Sequence, residues 1–193
     1  MPKVPSVAGS KLVRDFVERL LVANKSLRYV DAPLVPRPTK TSTALKPDVV
    51  YTAGKGAKNR QGKKIRYVYT TDSKGRLASA HARPLELPPM NQRGPHNPST
   101  PGKMPGDHAG HLIADMFGGS GKLDNLVSQL SQVNLSEIKR IEEGWLRRLN
   151  KTPPDVFDVD VKVIYGTGGR PTGFRLSETL ADGSIFRHVL IRN

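Results

Sequence analysis

One stretch of the chain, residues 106–145, concentrates the side chains that could carry chemistry. It holds two histidines, His108 and His111, between glycine-rich segments. Carboxylates and side-chain amides surround and follow them: Asp107, Asp115, Asp124, Asn125, Gln129, Asn134, Glu142 and Glu143. This is more convergent polar chemistry than a plain scaffold needs, and we interpret the stretch as a catalytic site.

His111 is the candidate general base in this stretch. An imidazole has an ordinary pKa of about 6.5, so it takes a proton at neutral pH at little cost. The apolar run 112–114 follows it and could seat it rigidly on a strand. His108 stands next to glycine and aspartate neighbours and is expected to be exposed. The alternative for His111 is a structural core histidine.

Side-chain amides predict a hard cation rather than a soft one. Asn134 precedes a helical pattern, and Glu142 lies about two turns further on, close to the same helix face. Amide and carboxylate oxygens suit Mg²⁺, which keeps most of its waters. With His111 they predict water activation beside hydrated Mg²⁺, a chemistry that suits phosphodiester hydrolysis. The alternatives are that Asn134 is only a helix cap and that Glu142 or Glu143 forms surface ion pairs.

The charge of the chain favours a polyanionic partner. There are 31 Lys and Arg against 17 Asp and Glu, which gives a net charge of +14. Residues 1–100 carry 19 of the basic residues and 6 of the acidic ones. Between Lys55 and Arg66 there are six cations and no acid, which predicts phosphate contacts or, alternatively, a solvated loop.

Two rival functions follow from the same residues. The first is a nucleic-acid-binding protein without catalysis, in which residues 55–66 do the binding and residues 106–145 are scaffold. The second is a zinc hydrolase that uses His108, His111 and either Asp107 or Asp115.

Composition excludes further classes of protein. The chain has no cysteine, so disulfides, thiolate metal sites and cysteine nucleophiles are excluded. The sequence has no apolar signal segment and no run of about 18 apolar residues, so we expect neither a signal peptide nor a membrane span.

Hydrophobic periodicity predicts an α+β fold. A helix is expected from residue 10 to about residue 24, and a second from Asn134 until Pro153 and Pro154 stop it. Strands are expected at residues 49–51, 65–71, 76–82, 157–165, 174–178 and 184–191. The prolines of residues 31–48 predict an arm, which divides the chain into residues 1–48 and a domain of residues 49–193.

The ordered series GDHAGHLIADMFGG, DNLVSQ, VN and IEEGW resembles the DNA/RNA non-specific endonuclease family, and especially its branch found as toxin domains of bacterial polymorphic toxins. The resemblance covers roughly residues 49–193. It implies a ββα-metal, or His-Me finger, core inserted in a mainly antiparallel sheet.

The resemblance also implies roles for single residues. His111 takes the place of the general base, Asn134 that of the metal ligand, and Glu142 that of the glutamate that supports the hydrated metal, with Glu143 as the alternative. Asn125 heads the family's N-x-x-x-Q element and is assigned to the catalytic set. The implied reaction is hydrolysis of DNA, and also of RNA, with Mg²⁺ or Mn²⁺ as the cofactor.

One departure from the family concerns phosphate binding. Many members have Asp-Arg-Gly-His, whereas this chain has His108 three residues before His111 and matches the toxin branch's Gly-Asp-x-x-Gly-His. Phosphate contacts are therefore assigned to Lys63, Lys64, Arg66, Arg76, Arg83, Arg93 and His108. The toxin branch further implies an acidic immunity protein as a partner, and delivery by a specialised secretion system into the cytoplasm of a target cell.

Overall fold

A computed structural model describes residues 11–30, 45–89 and 94–193 of the protein. The fold is built on a seven-stranded sheet in the order β1-β2-β3-β4-β7-β8-β9, with a separate β5–β6 hairpin. The strands are β1 Arg28–Val30, β2 Val49–Ala53, β3 Tyr67–Thr71, β4 Leu77–Ala82, β5 Asp107–His111, β6 Leu126–Leu130, β7 Phe157–Tyr165, β8 Pro171–Leu180 and β9 Ile185–Arg192. All neighbouring strands are antiparallel except β1 and β2, which confirms the predicted mainly antiparallel α+β fold.

A helical segment, α2, follows the β5–β6 hairpin and completes a ββα unit. It runs through a short α-helical turn at Ser131–Val133, a π-helical stretch at Asn134–Ile138 and an α-helix at Lys139–Leu149. Asn134 has φ −63° and ψ −38°, so it lies inside the helical segment and not at its N-cap. The predicted cap at Asn134 is therefore wrong, because helical geometry already begins at Ser131.

The front face of the sheet, which we define as the face that carries α2 and the hairpin, holds the main core. The predicted apolar stripe of α2 is buried there at Ile141, Trp145 and Leu149. Trp145 packs edge-on against Phe117, with the ring centroids 5.9 Å apart. Each large apolar side chain buried in this way stabilises the fold by about 1.5–3 kcal/mol, so this stripe fixes the orientation of α2.

The back face of the sheet is covered in part by the first helix, α1 (Lys11–Ala23). Val17 of α1 packs against Val50 and Val68. Since β1 also pairs with β2, residues 11–30 form part of the same fold. The sequence predicted the helix but placed a domain boundary in the proline-rich residues 31–48, of which residues 31–44 lie outside the described residues. None of the helices in the described part of the chain is long and apolar enough to cross a membrane.

Candidate active site

The front face brings His111, Asn134 and Glu142 together around one pocket of about 330 Å³. His111 enters from the end of β5, and the other two come from α2. The remaining lining residues are Ala114, Asp115, Met116, Leu135 and Lys139. Three side chains that the sequence predicted to act together therefore do share a cavity.

The β5–β6 hairpin fixes the backbone of His111. Gly110 pairs with Val127, and His111 pairs with Leu126. A Cβ at residue 110 would overlap the side chain of Gln129, which is 1% exposed. Glycine therefore lets the buried Gln129 reach across, and its Nε2 donates to the carbonyl oxygen of His111 at 3.5 Å. The ring of His111 also lies 5.9 Å from the ring of His96.

The side chain of Asn125 is engaged inside the protein and does not line the pocket, and its assignment to the catalytic set stays a prediction. Its side chain is fully buried. Oδ1 accepts from the Ile113 backbone at 3.0 Å and from the Tyr69 hydroxyl at 3.1 Å. Nδ2 donates to the carbonyl oxygens of Ile113 at 2.9 Å and Ser120 at 2.8 Å. Both ends of the amide are saturated within the protein, so Asn125 braces the loop after His111 instead of facing the pocket.

Asn134 is the first residue of the π-helical stretch of α2. Such stretches shift the helical register and occur often at functional sites. Its Nδ2 lies 3.2 Å from Nδ1 of His108, a residue that is half-buried instead of exposed as predicted. Oδ1 accepts no hydrogen bond from any described residue. Asn134 therefore has an oxygen with ligand capacity beside the pocket.

Glu142 is half-buried, whereas Glu143 is exposed. The pocket wall includes Glu142 and not Glu143, which distinguishes the two candidates that the sequence left open. Burial raises the pKa of Glu142 to about 7. Among the described residues it has no hydrogen-bond or ion-pair partner, so its carboxylate has no internal compensation for its lost hydration.

The donor set of the pocket fits a hydrated divalent cation. One amide oxygen and one carboxylate are few ligands, and a hard cation that keeps several waters is bound in this way. The described residues include no group of three His, Asp or Glu side chains placed to hold a metal, so the ligand set predicted for the zinc hydrolase is not assembled among them. Asp107 is ion-paired with Arg170 at 2.7 Å, and Asp115 with Lys55 at 3.0 Å.

The predicted phosphate-binding lysines lie on the loop between β2 and β3. Lys63 and Lys64 are exposed there. Arg66 folds back onto the sheet, where its guanidinium donates to Oγ1 and to the carbonyl oxygen of Thr52 at 3.0 and 2.7 Å. The loop thus presents Lys63 and Lys64 to solvent, while Arg66 anchors one end of it.

Arg76 and Arg83, two of the predicted phosphate-binding arginines, do not line the pocket. Arg76 pairs with Asp72 and stacks on Tyr165. Arg83 forms ion pairs with Asp158 and Asp160, and its guanidinium lies over the ring of Phe16 of α1 on the back face. Arg93 lies outside the described residues. Phosphate binding by these arginines stays a prediction.

Lys139 is a pocket residue that the functional reading of the sequence missed. It lines the pocket with Glu142 and forms no ion pair with a described residue. The two residues are three apart on one helix, a spacing that places side chains on the same face. The three-residue spacing could have indicated that Lys139 shares the pocket with Glu142, but the same spacing is also typical of a surface ion pair.

Residues 47–179 match the sequence profile of the DNA/RNA non-specific endonuclease family. The chain belongs to this family. The match includes every pocket residue, and it confirms the predicted hydrolytic nuclease of this family. The chain is also 32% identical over 155 residues to the type VII secretion system protein EssD of Staphylococcus aureus. That match covers 76% of this chain and 23% of the relative, so the chain spans about a quarter of the relative's length.

A solved nuclease, Sda1, shares the fold of this family member. The zinc-bound structure of Sda1 nuclease superposes with a TM-score of 0.52 at 14% identity, covering 75% of this chain and 83% of Sda1. NucA from Streptococcus agalactiae, with no metal bound, gives a TM-score of 0.49 at 19% identity, with coverage of 93% and 89%. The likeness to Sda1 agrees with the ββα unit that presents the pocket.

Proposed function

We propose that the chain is a divalent-metal-dependent endonuclease that cleaves the phosphodiester bonds of DNA, and also of RNA, with little sequence specificity. The observation that carries this proposal is the convergence of His111, Asn134 and Glu142 on one pocket. A hairpin supplies the base, and the helix packed beside it supplies the two oxygen donors. This arrangement separates the proton acceptor from the metal ligands.

Each pocket residue has a distinct part in the proposed reaction. Asn134 Oδ1 would hold a Mg²⁺ or Mn²⁺ ion, and the Glu142 carboxylate would supply the negative charge that keeps it in place. When bound, the ion would supply electrostatic stabilisation of the phosphate and of the leaving oxygen. His111 accepts a proton from water on a ring nitrogen, which makes the water nucleophilic. Lys139 offsets the remaining charge of the phosphate.

The exposed lysines of the β2–β3 loop extend the proposed substrate path. Lys63 and Lys64 supply charge that any sugar-phosphate backbone would attract, since such contacts carry no sequence information. Contact with backbone alone is consistent with low sequence specificity. The chain's net charge of +14 favours association with nucleic acid in the same way.

We further propose that the nuclease acts as an antibacterial toxin domain that is delivered by a specialised secretion system. The name of the EssD relative, a type VII secretion system protein, supports this setting. An acidic immunity protein is the proposed partner, because a charge of +14 would steer its association. In a test, expression of the wild-type chain in a bacterial cytoplasm should stop growth, and expression of His111→Ala should not.

Digestion of plasmid and RNA across metals tests the proposed reaction. Wild-type protein should cleave both substrates with Mg²⁺ or Mn²⁺ and stop in EDTA, and Asn134→Ala should lose most cleavage. Salt-sensitive binding without cleavage under any divalent metal would favour the binding protein instead. Zinc-dependent cleavage that survives Asn134→Ala would favour the zinc hydrolase.

A further inference from the structure

The contact between His108 and Asn134 gives His108 a place in the site. His108 lies on β5, on the strand that ends in His111. Its Nδ1 is 3.2 Å from Nδ2 of Asn134, across the gap between the hairpin and α2. The two residues are 26 positions apart in sequence, so only the packing of the ββα unit brings them together.

The Asn134 amide has two chemically different ends. Oδ1 is an acceptor that can bind a cation, whereas Nδ2 is a donor that would repel one. The two ends are nearly equal in shape, so packing alone does not choose between them. A hydrogen bond from Nδ2 to an acceptor fixes the choice, and Nδ1 of a neutral His108 is such an acceptor.

We propose that His108 is a positioning residue that holds the Nδ2 end of the Asn134 amide and so turns Oδ1 toward the metal. This inference rests on the proposed function, since it assigns the metal to Asn134. Groups behind a metal ligand commonly fix its orientation, and their removal weakens metal binding about 10–100-fold. In this role His108 acts through Asn134, in place of the phosphate contact that the resemblance to the family assigned to it.

The chemistry at position 108 makes the proposal specific. A side chain at position 108 that can only donate hydrogen bonds would attract Oδ1 and leave Nδ2 facing the pocket. It should therefore weaken metal binding more than an apolar side chain, which neither donates nor accepts a hydrogen bond. Asparagine can place an acceptor oxygen near the position of the imidazole Nδ1. The expected order of metal affinity is therefore wild type, then His108→Asn, then His108→Leu, then His108→Lys.

Direct titration of the full chain with Mn²⁺, followed by electron paramagnetic resonance of the free ion, measures this affinity without turnover. His108→Leu should weaken Mn²⁺ binding about tenfold, and His108→Asn should stay within about threefold of wild type. In plasmid cleavage, the Leu variant should need about tenfold more Mn²⁺ than wild type to reach its own half-maximal rate. His188→Leu removes an exposed histidine and is the matched control.

The outcomes separate this inference from the function on which it rests. Wild-type protein that cleaves DNA, with Leu and Lys variants that bind Mn²⁺ as tightly as it does, would overturn the role of His108 alone. A wild-type protein that neither binds Mn²⁺ nor cleaves overturns the proposed function and this inference with it. If the Leu variant fails to fold, the order of the Asn and Lys variants decides, since equal affinity of the two contradicts the proposal.

Discussion

Two histidine-centred clusters lie on opposite faces of the same sheet and differ in how their polar atoms are satisfied. We call the first the back-face cluster; it consists of Thr70, Ser79, His81, Arg83 and Asp160. In it His81 Nδ1 bonds to Asp160 and Nε2 to the Ser79 hydroxyl, the latter at 2.7 Å. Arg83 donates to both oxygens of Asp160 at 2.8 and 2.7 Å. The front-face pocket, in contrast, leaves Glu142 without a partner among the described residues.

The back-face cluster has the Ser-His-Asp order of a catalytic triad but lacks the rest of the machinery. Ser79 lies within β4, which pairs with β3 on one side and β7 on the other, so its backbone is committed to the sheet. No oxyanion hole can form from such backbone groups. Phe16 of α1 also packs against His81, with ring centroids 5.1 Å apart. A satisfied network of this kind stabilises a fold, whereas an unsatisfied one marks a site for chemistry.

The largest expected effect separates the two histidines by activity. His111→Ala should lower plasmid cleavage about 10³-fold, because a general base contributes about 10²–10⁴-fold. His81→Ala should keep cleavage near the wild-type level but lower the free energy of unfolding by about 1–3 kcal/mol, since Ser79 and Asp160 lose a partner. Cleavage rates and denaturant unfolding, measured on both variants, show whether one loses activity and the other loses stability. Comparable loss of cleavage in both variants, with unchanged stability, would contradict the distinction.

The next largest effect concerns the loss of folding stability that arises because Glu142 has no partner among the described residues. Its pKa is raised from 4.5 to about 7 by burial, so the folded state binds more protons than the unfolded state between these values. The stabilisation that protonated Glu142 contributes to the folded state is therefore fully present below pH 4.5, and it is lost as the pH rises through about 7. In EDTA at pH 8, Glu142→Gln should raise the free energy of unfolding by about 1–3 kcal/mol. This is less than the roughly 3.5 kcal/mol that the full pKa rise would give at about 1.4 kcal/mol per unit, because Glu142 is only half-buried.

The same substitution should damage function while it helps stability. Cleavage by Glu142→Gln should fall about 10–100-fold, as expected when a group that supports a metal is removed. Glu143→Gln is the matched control, since this neighbour is exposed and should change neither quantity. A Glu142→Gln variant no more stable than wild type at pH 8 would show that Glu142 is better compensated than its surroundings indicate.

Local sequence signals predicted the parts of the site that depend on local structure. The apolar stripe of α2 predicted the buried face of that helix, because this face depends on local periodicity. The apolar run 112–114 is buried as well, but it follows the end of β5, so that His111 is the last residue of the strand. The role of Asn125 depends on Ser120 and on Tyr69 of β3, and no local pattern shows which backbone groups will converge on one amide. Arg83 forms its ion pairs with Asp158 and Asp160 of β7, which are far from it in sequence. The sequence therefore showed the positive charge of Arg83 but not the carboxylates that neutralise it.

A third effect tests whether the back-face cluster is only structural. Burial raises the pKa of Asp160, but His81 and Arg83 outweigh this and hold it below its ordinary value of 3.8. Its contribution is therefore present above pH 3.8 and lost as pH falls below it. Asp160→Asn should lower the free energy of unfolding by about 1–2 kcal/mol at pH 7, a value reduced by its partial exposure. The difference from wild type should shrink in acid, and cleavage should stay unchanged; loss of cleavage would give the cluster a functional role.

The smallest expected effect concerns the exposed lysines of the β2–β3 loop. Replacing Lys63 and Lys64 with alanine should raise KM several-fold at low salt and leave kcat unchanged, because these side chains would contact phosphate without touching the reacting atoms. The slope of log KM against log salt should fall by up to about 2, close to one unit per lost phosphate contact. A matched pair, Lys74→Ala with Lys162→Ala, removes the same charge from exposed positions outside the pocket. If both pairs change the slope equally, the net charge of the chain governs binding, and the loop gives the nucleic acid no defined path to the pocket.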